Sequence, residues 1–214
     1  LVGGETAELP DVYKAGDYDL AGFSLGVVEL SRAMDATRVE PGDVVLGLES
    51  DGLHSNGFTL VRKIVSARKL NLGKVYPELD ASRTLGEVLL TPTRIYAQPI
   101  VRAQRAYKVK KVITGMAHIT GGGLAGNLVR SLPGDVNAEI DWGAWETPPV
   151  FRFLAERGNV EQAEMRRVFN MGIGMTAIVS GSKADSVLRS IRRRGHDAWI
   201  VGEVTKGRGK VKLS

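Results

Sequence analysis

The sequence contains no cysteine. Disulfides, thiolate nucleophiles and thiolate zinc sites are therefore excluded, and a reducing cytoplasm is the expected setting. Long apolar runs are also missing. None approaches the roughly 18–20 residues of a membrane span, and no signal-peptide pattern opens the chain, so no membrane partner is expected. Aromatic residues are scarce, at 6%. None interleaves with the run Arg192-Arg193-Arg194 in the way a single-strand nucleic-acid binder requires. The chain is basic, with a net charge of +5 and a pI near 9.5, but the excess is local. Residues 189–212 hold eight Lys/Arg against Asp197 and Glu203, and the rest of the chain is close to neutral. A cationic run at the end of a helix complements the helix dipole, so a solvated helix end is expected and no nucleic-acid partner.

What is present is ordinary globular composition: 214 residues, 43% hydrophobic and 25% charged. That length holds one large domain, or a domain plus a piece of another. Leu1-Val2-Gly3-Gly4 reads as a strand entering a turn inside a fold, so the chain is expected to begin within a longer protein. Residues 20–30 read as a strand, and the polar stretch 31–40 as a boundary closed by the turn Pro41-Gly42-Asp43. Strands are expected at 44–48, 109–117, 139–141, 171–180, 198–204 and 210–213. Helices are expected at 58–68, 85–90, 95–106, from 123 to about 132, and at 149–157, 160–169 and 182–194. Thr91-Pro92-Thr93 is read as opening the third helix and Ser182 as capping the last. Strands and helices alternate irregularly, which predicts an α+β fold with a mixed sheet packed by helices.

Two strand–loop–helix junctions carry the chemistry. The first is Ser50-Asp51-Gly52-Leu53-His54-Ser55-Asn56-Gly57. A helix N-terminus offers free N–H groups and partial positive charge to a phosphate. Glycines permit close approach of the backbone, Ser55 and Asn56 add donors, and His54 donates or moves a proton. The plainer alternative is a simple helix cap. The second junction is His118-Ile119-Thr120-Gly121-Gly122-Gly123, whose glycines are costly in entropy and call for a ligand or tight packing. Two such junctions, each with a histidine and a hydroxyl, argue for one shared site. A third segment, Gly3-Gly4-Glu5-Thr6-Ala7-Glu8, places Glu5 and Glu8 as Mg²⁺ ligands or as acidic residues at a helix start. The strand start Asn170-Met171-Gly172-Ile173-Gly174 reads as packing, as do Trp142, Trp145 and Trp199, and His196 reads as a structural turn residue.

Taken in order, Leu1-Val2-Gly3-Gly4-Glu5-Thr6-Ala7-Glu8, Gly16-Asp17-Tyr18-Asp19-Leu20-Ala21-Gly22-Phe23, His54-Ser55-Asn56-Gly57, Thr91-Pro92-Thr93-Arg94-Ile95-Tyr96, Ala117-His118-Ile119-Thr120-Gly121-Gly122-Gly123 and Phe169-Asn170-Met171-Gly172-Ile173-Gly174-Met175 closely resemble the phosphoribosylformylglycinamidine cyclo-ligases, also called aminoimidazole ribonucleotide synthetases. The resemblance runs the length of the chain. It implies an ATP-dependent ring closure in purine biosynthesis. Formylglycinamidine ribonucleotide would be phosphorylated on its formamide oxygen, which leaves as phosphate when the amidine nitrogen attacks.

By the resemblance, Gly4, Glu5 and Thr6 bind ATP, with Glu5 on Mg²⁺. Ser50, Gly52, Ser55, Asn56, Gly57, Thr120, Gly121, Gly122 and Gly123 lie at the phosphorylated substrate, and His54 is the catalytic residue. Residues 1–34 would be the tail of an amino-terminal α/β ATP-binding domain through which the family forms homodimers, and 35–214 the carboxy-terminal synthetase domain. Asp11 and Asp51 depart from the pattern, in place of a glycine and a small residue. The family's amino-terminal Asp-Gly-x-Gly-Thr-Lys segment is absent, so this chain alone is expected to show little or no activity. Other members of the superfamily, of the formylglycinamidine ribonucleotide synthetase, selenophosphate synthetase or thiamine-monophosphate kinase type, are the alternative.

Overall fold

The computed structural model describes residues 22, 24–107 and 111–214. The chain divides into two compact units, Leu1–Ala33 and Met34–Ser214. In the first, residues 24–29 form no regular element and lead into a 3-10 turn, Leu30–Arg32. The strand expected over 20–30 is therefore not formed in its described part. A strand needs a ladder partner, and among the described residues none pairs with it.

The second unit is built on a six-stranded sheet. Its strands are β1 (Val44–Glu49), β2 (Ile113–His118), β3 (Val136–Ile140), β4 (Ile173–Val179), β5 (Ala198–Lys206) and β6 (Lys210–Leu213), in the order β2-β4-β1-β5-β3-β6. Every pairing is antiparallel except β3 with β6. With seven helices packed around it, this is the mixed α+β architecture expected. β1 is central and buried on both faces, which is why its sequence is a continuous apolar run and not an alternating one. Val45 packs with Ile140, Ile173 and Val201, whereas Leu46 and Leu48 pack with Ile100, Val187 and Ile191.

The helices are α1 (Phe58–Ala67), α2 (Leu85–Leu89), α3 (Ala97–Arg105), α4 (Gly123–Leu128), α5 (Pro149–Gly158), α6 (Gln162–Val168) and α7 (Ala184–Arg192). Apolar residues at 184, 187, 188 and 191 give α7 one buried stripe at helical spacing. With α3 it covers the Leu46 face. Leu124 and Leu128 of α4 cover the Val45 face. Residues of α1, α2, α5 and α6 form a third cluster around Phe151 and Phe169. Among the described residues no helix is long and apolar enough to cross a membrane.

Several local expectations are corrected. Thr91 does not start α3: its hydroxyl donates back to the Val88 carbonyl (2.9 Å) at the end of α2. α3 begins two residues later than 95, after Tyr96 and without a side-chain cap. Pro92 forces extended backbone on its predecessor, so the Thr-Pro-Thr segment runs as a strap. Ser182 caps nothing, because α7 is preceded by the 3-10 turn Gly181–Lys183 and opens after Lys183. β2 starts at Ile113, later than 109, and β3 starts earlier than 139, at Val136.

The register sets which strand ends lie together. Glu49 faces Ile173, His118 faces Met175 and Leu48 faces Ala198. The ends of β1 and β2 therefore lie beside the beginnings of β4 and β5, and four connecting segments meet at one edge of the sheet.

Candidate functional site

Asn170, just before β4, holds the first junction in shape. Its Oδ1 accepts from the Ser50 hydroxyl (2.8 Å) and the Gly172 N–H (2.8 Å). Its Nδ2 donates to the carbonyls of Gly52 (2.8 Å) and Leu53 (3.3 Å). Ser50 and Asn170 are both buried, so each bond meets a group that has no water to replace it. Carbonyl and following N–H point in opposite directions across a trans peptide. With two loop carbonyls turned to Asn170, the N–H groups of Leu53 and His54 face away from it.

Asn127 in α4 does the same for the second junction. Its Nδ2 donates to the carbonyls of Gly123 (2.8 Å), Thr120 (3.2 Å) and Gly121 (3.2 Å), and its Oδ1 accepts from the Thr120 hydroxyl (3.2 Å). The N–H groups of Gly121 and Gly122 are thereby turned outward. The two junctions are adjacent: a Cβ on Gly121 would stand 3.7 Å from Asn56 Oδ1. The two junctions that the sequence reading brought together are thus neighbours in the fold.

All three histidines of the chain surround one side chain. The rings of His118, His54 and His196 lie 6.0, 6.2 and 6.3 Å from that of Tyr96. The Tyr96 hydroxyl donates to the Glu49 carbonyl (2.6 Å), and burial holds the phenol above its ordinary pKa. The space beside Gly174 is filled by the Tyr96 hydroxyl and the His54 ring, so the close packing read from that strand is observed. Arg94 closes the edge with ion pairs to Glu49 (2.7 Å) and Asp51. Asp51 thus has a partner, which a small residue could not supply.

His54 is buried and takes a left-handed backbone (φ 58°), an uncommon conformation for a side-chain-bearing residue. Its Nε2 accepts from the N–H groups of Asp51 (3.2 Å) and Arg94 (3.4 Å). Its Nδ1 is buried without a partner in the protein. Burial, then His118 and Arg94, lowers its pKa below the ordinary imidazole value, against an opposing effect from Asp51.

Beside His54 lies a cleft of about 350 Å³, lined by His54, Ser55, Phe58, Leu89, Leu90, Thr91, Pro92 and Thr93. That is within the range for a small phosphorylated molecule. α1 starts here on Gly57 in the left-handed region (φ 82°) with no side-chain cap, leaving its first-turn N–H groups without partners in the helix. The expected alternative, Ser55 or Asn56 as a cap, is not what the loop does. The Ser55 and Thr93 hydroxyls instead meet across the cleft mouth (3.1 Å).

Of the residues expected at the site, His54 and Ser55 line this cleft. Ser50 and Gly52 are held behind it by Asn170, and Thr120, Gly121 and Gly122 form the neighbouring junction. Gly57 and Gly123 have a structural explanation. A side chain at 57 would run into the Phe169 ring, and one at 123 into the Arg166 carbonyl. Gly4, Glu5 and Thr6, with Glu8, Asp17 and Asp19, lie outside the described residues. Among the described residues no group of three or more His, Cys, Asp or Glu is arranged to hold a metal. Sequence reasoning missed Asn170, Asn127, Tyr96, Arg94 and Thr93. The Thr91–Tyr96 block was the available signal for the last three.

Residues 40–214 match the family described as AIR synthase related protein, C-terminal domain. The chain is 48% identical over 204 residues to a phosphoribosylformylglycinamidine cyclo-ligase of Sorangium cellulosum, covering 95% of this chain and 58% of that relative. It is 47% identical over 211 residues to the cyclo-ligase of Paraburkholderia phymatum, covering 97% of this chain and 56% of that one. The chain thus spans less than two thirds of the length of these relatives. Among solved structures, thiamine-monophosphate kinase from Stenotrophomonas maltophilia superposes with a TM-score of 0.60 at 16% identity, covering 87% of this chain and 54% of the kinase. At that identity the likeness concerns the fold alone.

Proposed function

This chain belongs to the AIR synthase related family as its C-terminal domain, and from that membership we propose that it is the carboxy-terminal portion of a phosphoribosylformylglycinamidine cyclo-ligase. The reaction would close formylglycinamidine ribonucleotide to aminoimidazole ribonucleotide, converting ATP to ADP and phosphate. The observation that carries the reading is the identity of nearly half the residues along 95% of the chain. The geometry supports it, because an uncapped helix start, the Ser55 and Thr93 hydroxyls and the His54 side chain are gathered at one cleft.

Within this reading the chain positions and neutralises charge, which is most of what such a reaction needs. The first turn of α1, Ser55 and Thr93 hold the substrate's phosphate by N–H and O–H donation. His54, which lines the cleft, is the proposed catalytic residue for the charge that develops on the reacting amide oxygen. Gly121, beside Asn56, with Gly122 and Thr120 forms the neighbouring loop, proposed to meet the rest of the substrate. Gly4, Glu5 and Thr6 are proposed to contact ATP. Glu5 is a hard oxygen ligand suited to Mg²⁺, which when bound neutralises phosphate charge. Residues 1–34 then form the tail of the amino-terminal domain, and homodimer pairing through that domain and a cytoplasmic location belong to the same proposal.

Joining 1–214 to the amino-terminal part of the Sorangium relative provides the test. The chimera is expected to release ADP with formylglycinamidine ribonucleotide and to form aminoimidazole ribonucleotide. ADP release with thiamine monophosphate or selenide in its place would refute the assignment.

A further inference from the structure

His54 is gripped by one pair of residues in two ways. The backbone N–H groups of Asp51 and Arg94 both donate to Nε2, at 3.2 and 3.4 Å. The same two residues are joined through their side chains, with Arg94 Nε donating to Asp51 Oδ1 (2.9 Å). Arg94 is tied in turn to Glu49 Oε1 (2.7 Å), and that oxygen accepts from the Asp197 N–H (2.7 Å). The result is a closed ring of contacts: Asp51 to Nε2, Nε2 to Arg94, and Arg94 back to Asp51.

An imidazole nitrogen that accepts two N–H groups must present its lone pair. The ring proton is then on the other nitrogen. From this we infer that Arg94 and Asp51 are positioning residues that lock His54 as the neutral Nδ1–H form. Proton abstraction through Nε2 is closed to it, because both backbone donors would first have to be displaced. The arrangement fixes the tautomer and orientation of a ring whose Nδ1 is buried, in place of a freely titrating acid–base group. Around the ring stand Asp51, Arg94, Glu49, His118, His196 and Tyr96. Asp51 favours a charged imidazole, whereas burial, His118 and Arg94 oppose it.

The inference rests on reading residues 50–57 as the substrate loop, but the tautomer belongs to the free chain and is measured there. Long-range ¹H–¹⁵N correlation spectra of the 214-residue chain, labelled at histidine, distinguish the two neutral forms and the cation. At neutral pH His54 is expected to show a protonated Nδ1 and a bare Nε2. R94A retains the backbone N–H but removes the opposing cation, and is expected to raise the His54 midpoint by about one pH unit. D51N removes the favouring anion and is expected to lower it. R94K preserves the charge and should stay close to the parent chain.

A protonated Nε2, a cationic His54 at neutral pH, or shifts of R94A and D51N in the same direction would overturn the inference. Should R94A not fold, the spectrum of the parent chain decides: a protonated Nδ1 with a bare Nε2 supports the lock, and a protonated Nε2 refutes it. A locked Nδ1–H form without affinity for a phosphorylated ligand contradicts only the functional reading. Ligand binding with the opposite tautomer contradicts only the lock.

Discussion

Replacing Gly123 with alanine is expected to destabilise the chain by about 2–5 kcal/mol, combining the cost of a positive φ with that of overpacking. For a unit of this size that corresponds to a fall in melting temperature of about 5–20 °C. Gly123 adopts φ 65°. A Cβ there would overlap the Arg166 carbonyl oxygen and stand 3.0 Å from its carbon. These are backbone atoms at the end of α6, so relief requires moving one helix from another. Gly126, one turn further along α4, is a matched control with nothing within 4 Å of its Cβ position. Alanine there is expected to stabilise by about 0.5–1 kcal/mol. Thermal denaturation of both variants checks the pair, and equal melting temperatures would contradict this packing of α4 on α6.

Asn170→Ala is expected to cost about 3–5 kcal/mol, the upper range for breaking a buried hydrogen-bond network. Four bonds are lost together, and the Ser50 hydroxyl, two loop carbonyls and the Gly172 N–H lose their partner. The damage centres on residues 50–57, whose left-handed turn at His54 needs external support. Ligand affinity should therefore fall in N170A even under conditions where the variant remains folded. N170D keeps the acceptor for Ser50 and Gly172 but sets a carboxylate oxygen against the carbonyls of Gly52 and Leu53, so it too should be destabilised. Chemical denaturation with ligand titration checks both, and a full-affinity N170A would rule out Asn170 as the organiser of the loop.

The contrast between these residues shows what the sequence made legible. β1 was readable as an unbroken apolar run, α7 as a stripe of helical period, and both junctions as glycine-rich connections from strand to helix. Those signals are local, because backbone geometry repeats every two or 3.6 residues. Asn170 was read only as the start of a packed strand, since its partner Ser50 lies 120 positions away and such pairing leaves no periodic trace. Arg94 reaches Asp51 across 43 positions in the same silent way. The Thr-Pro-Thr segment misled for a different reason. A proline flanked by hydroxyl residues satisfies the helix-start pattern, but here the Thr91 hydroxyl closes the preceding helix. Gly123 was read as calling for a ligand or tight packing, and the Arg166 carbonyl supplies the packing, whereas Gly57, read as letting the backbone approach an anion, lies against the Phe169 ring.

The central claim is that the cleft at the start of α1 takes the phosphate of a phosphorylated substrate. A crystal structure of the chain soaked with formylglycinamidine ribonucleotide tests it most directly. The phosphate is expected within hydrogen-bonding distance of the Ser55 and Thr93 hydroxyls and the first-turn N–H groups of α1. Nucleotide bound with its phosphate elsewhere, while this cleft stays filled with solvent, would contradict it.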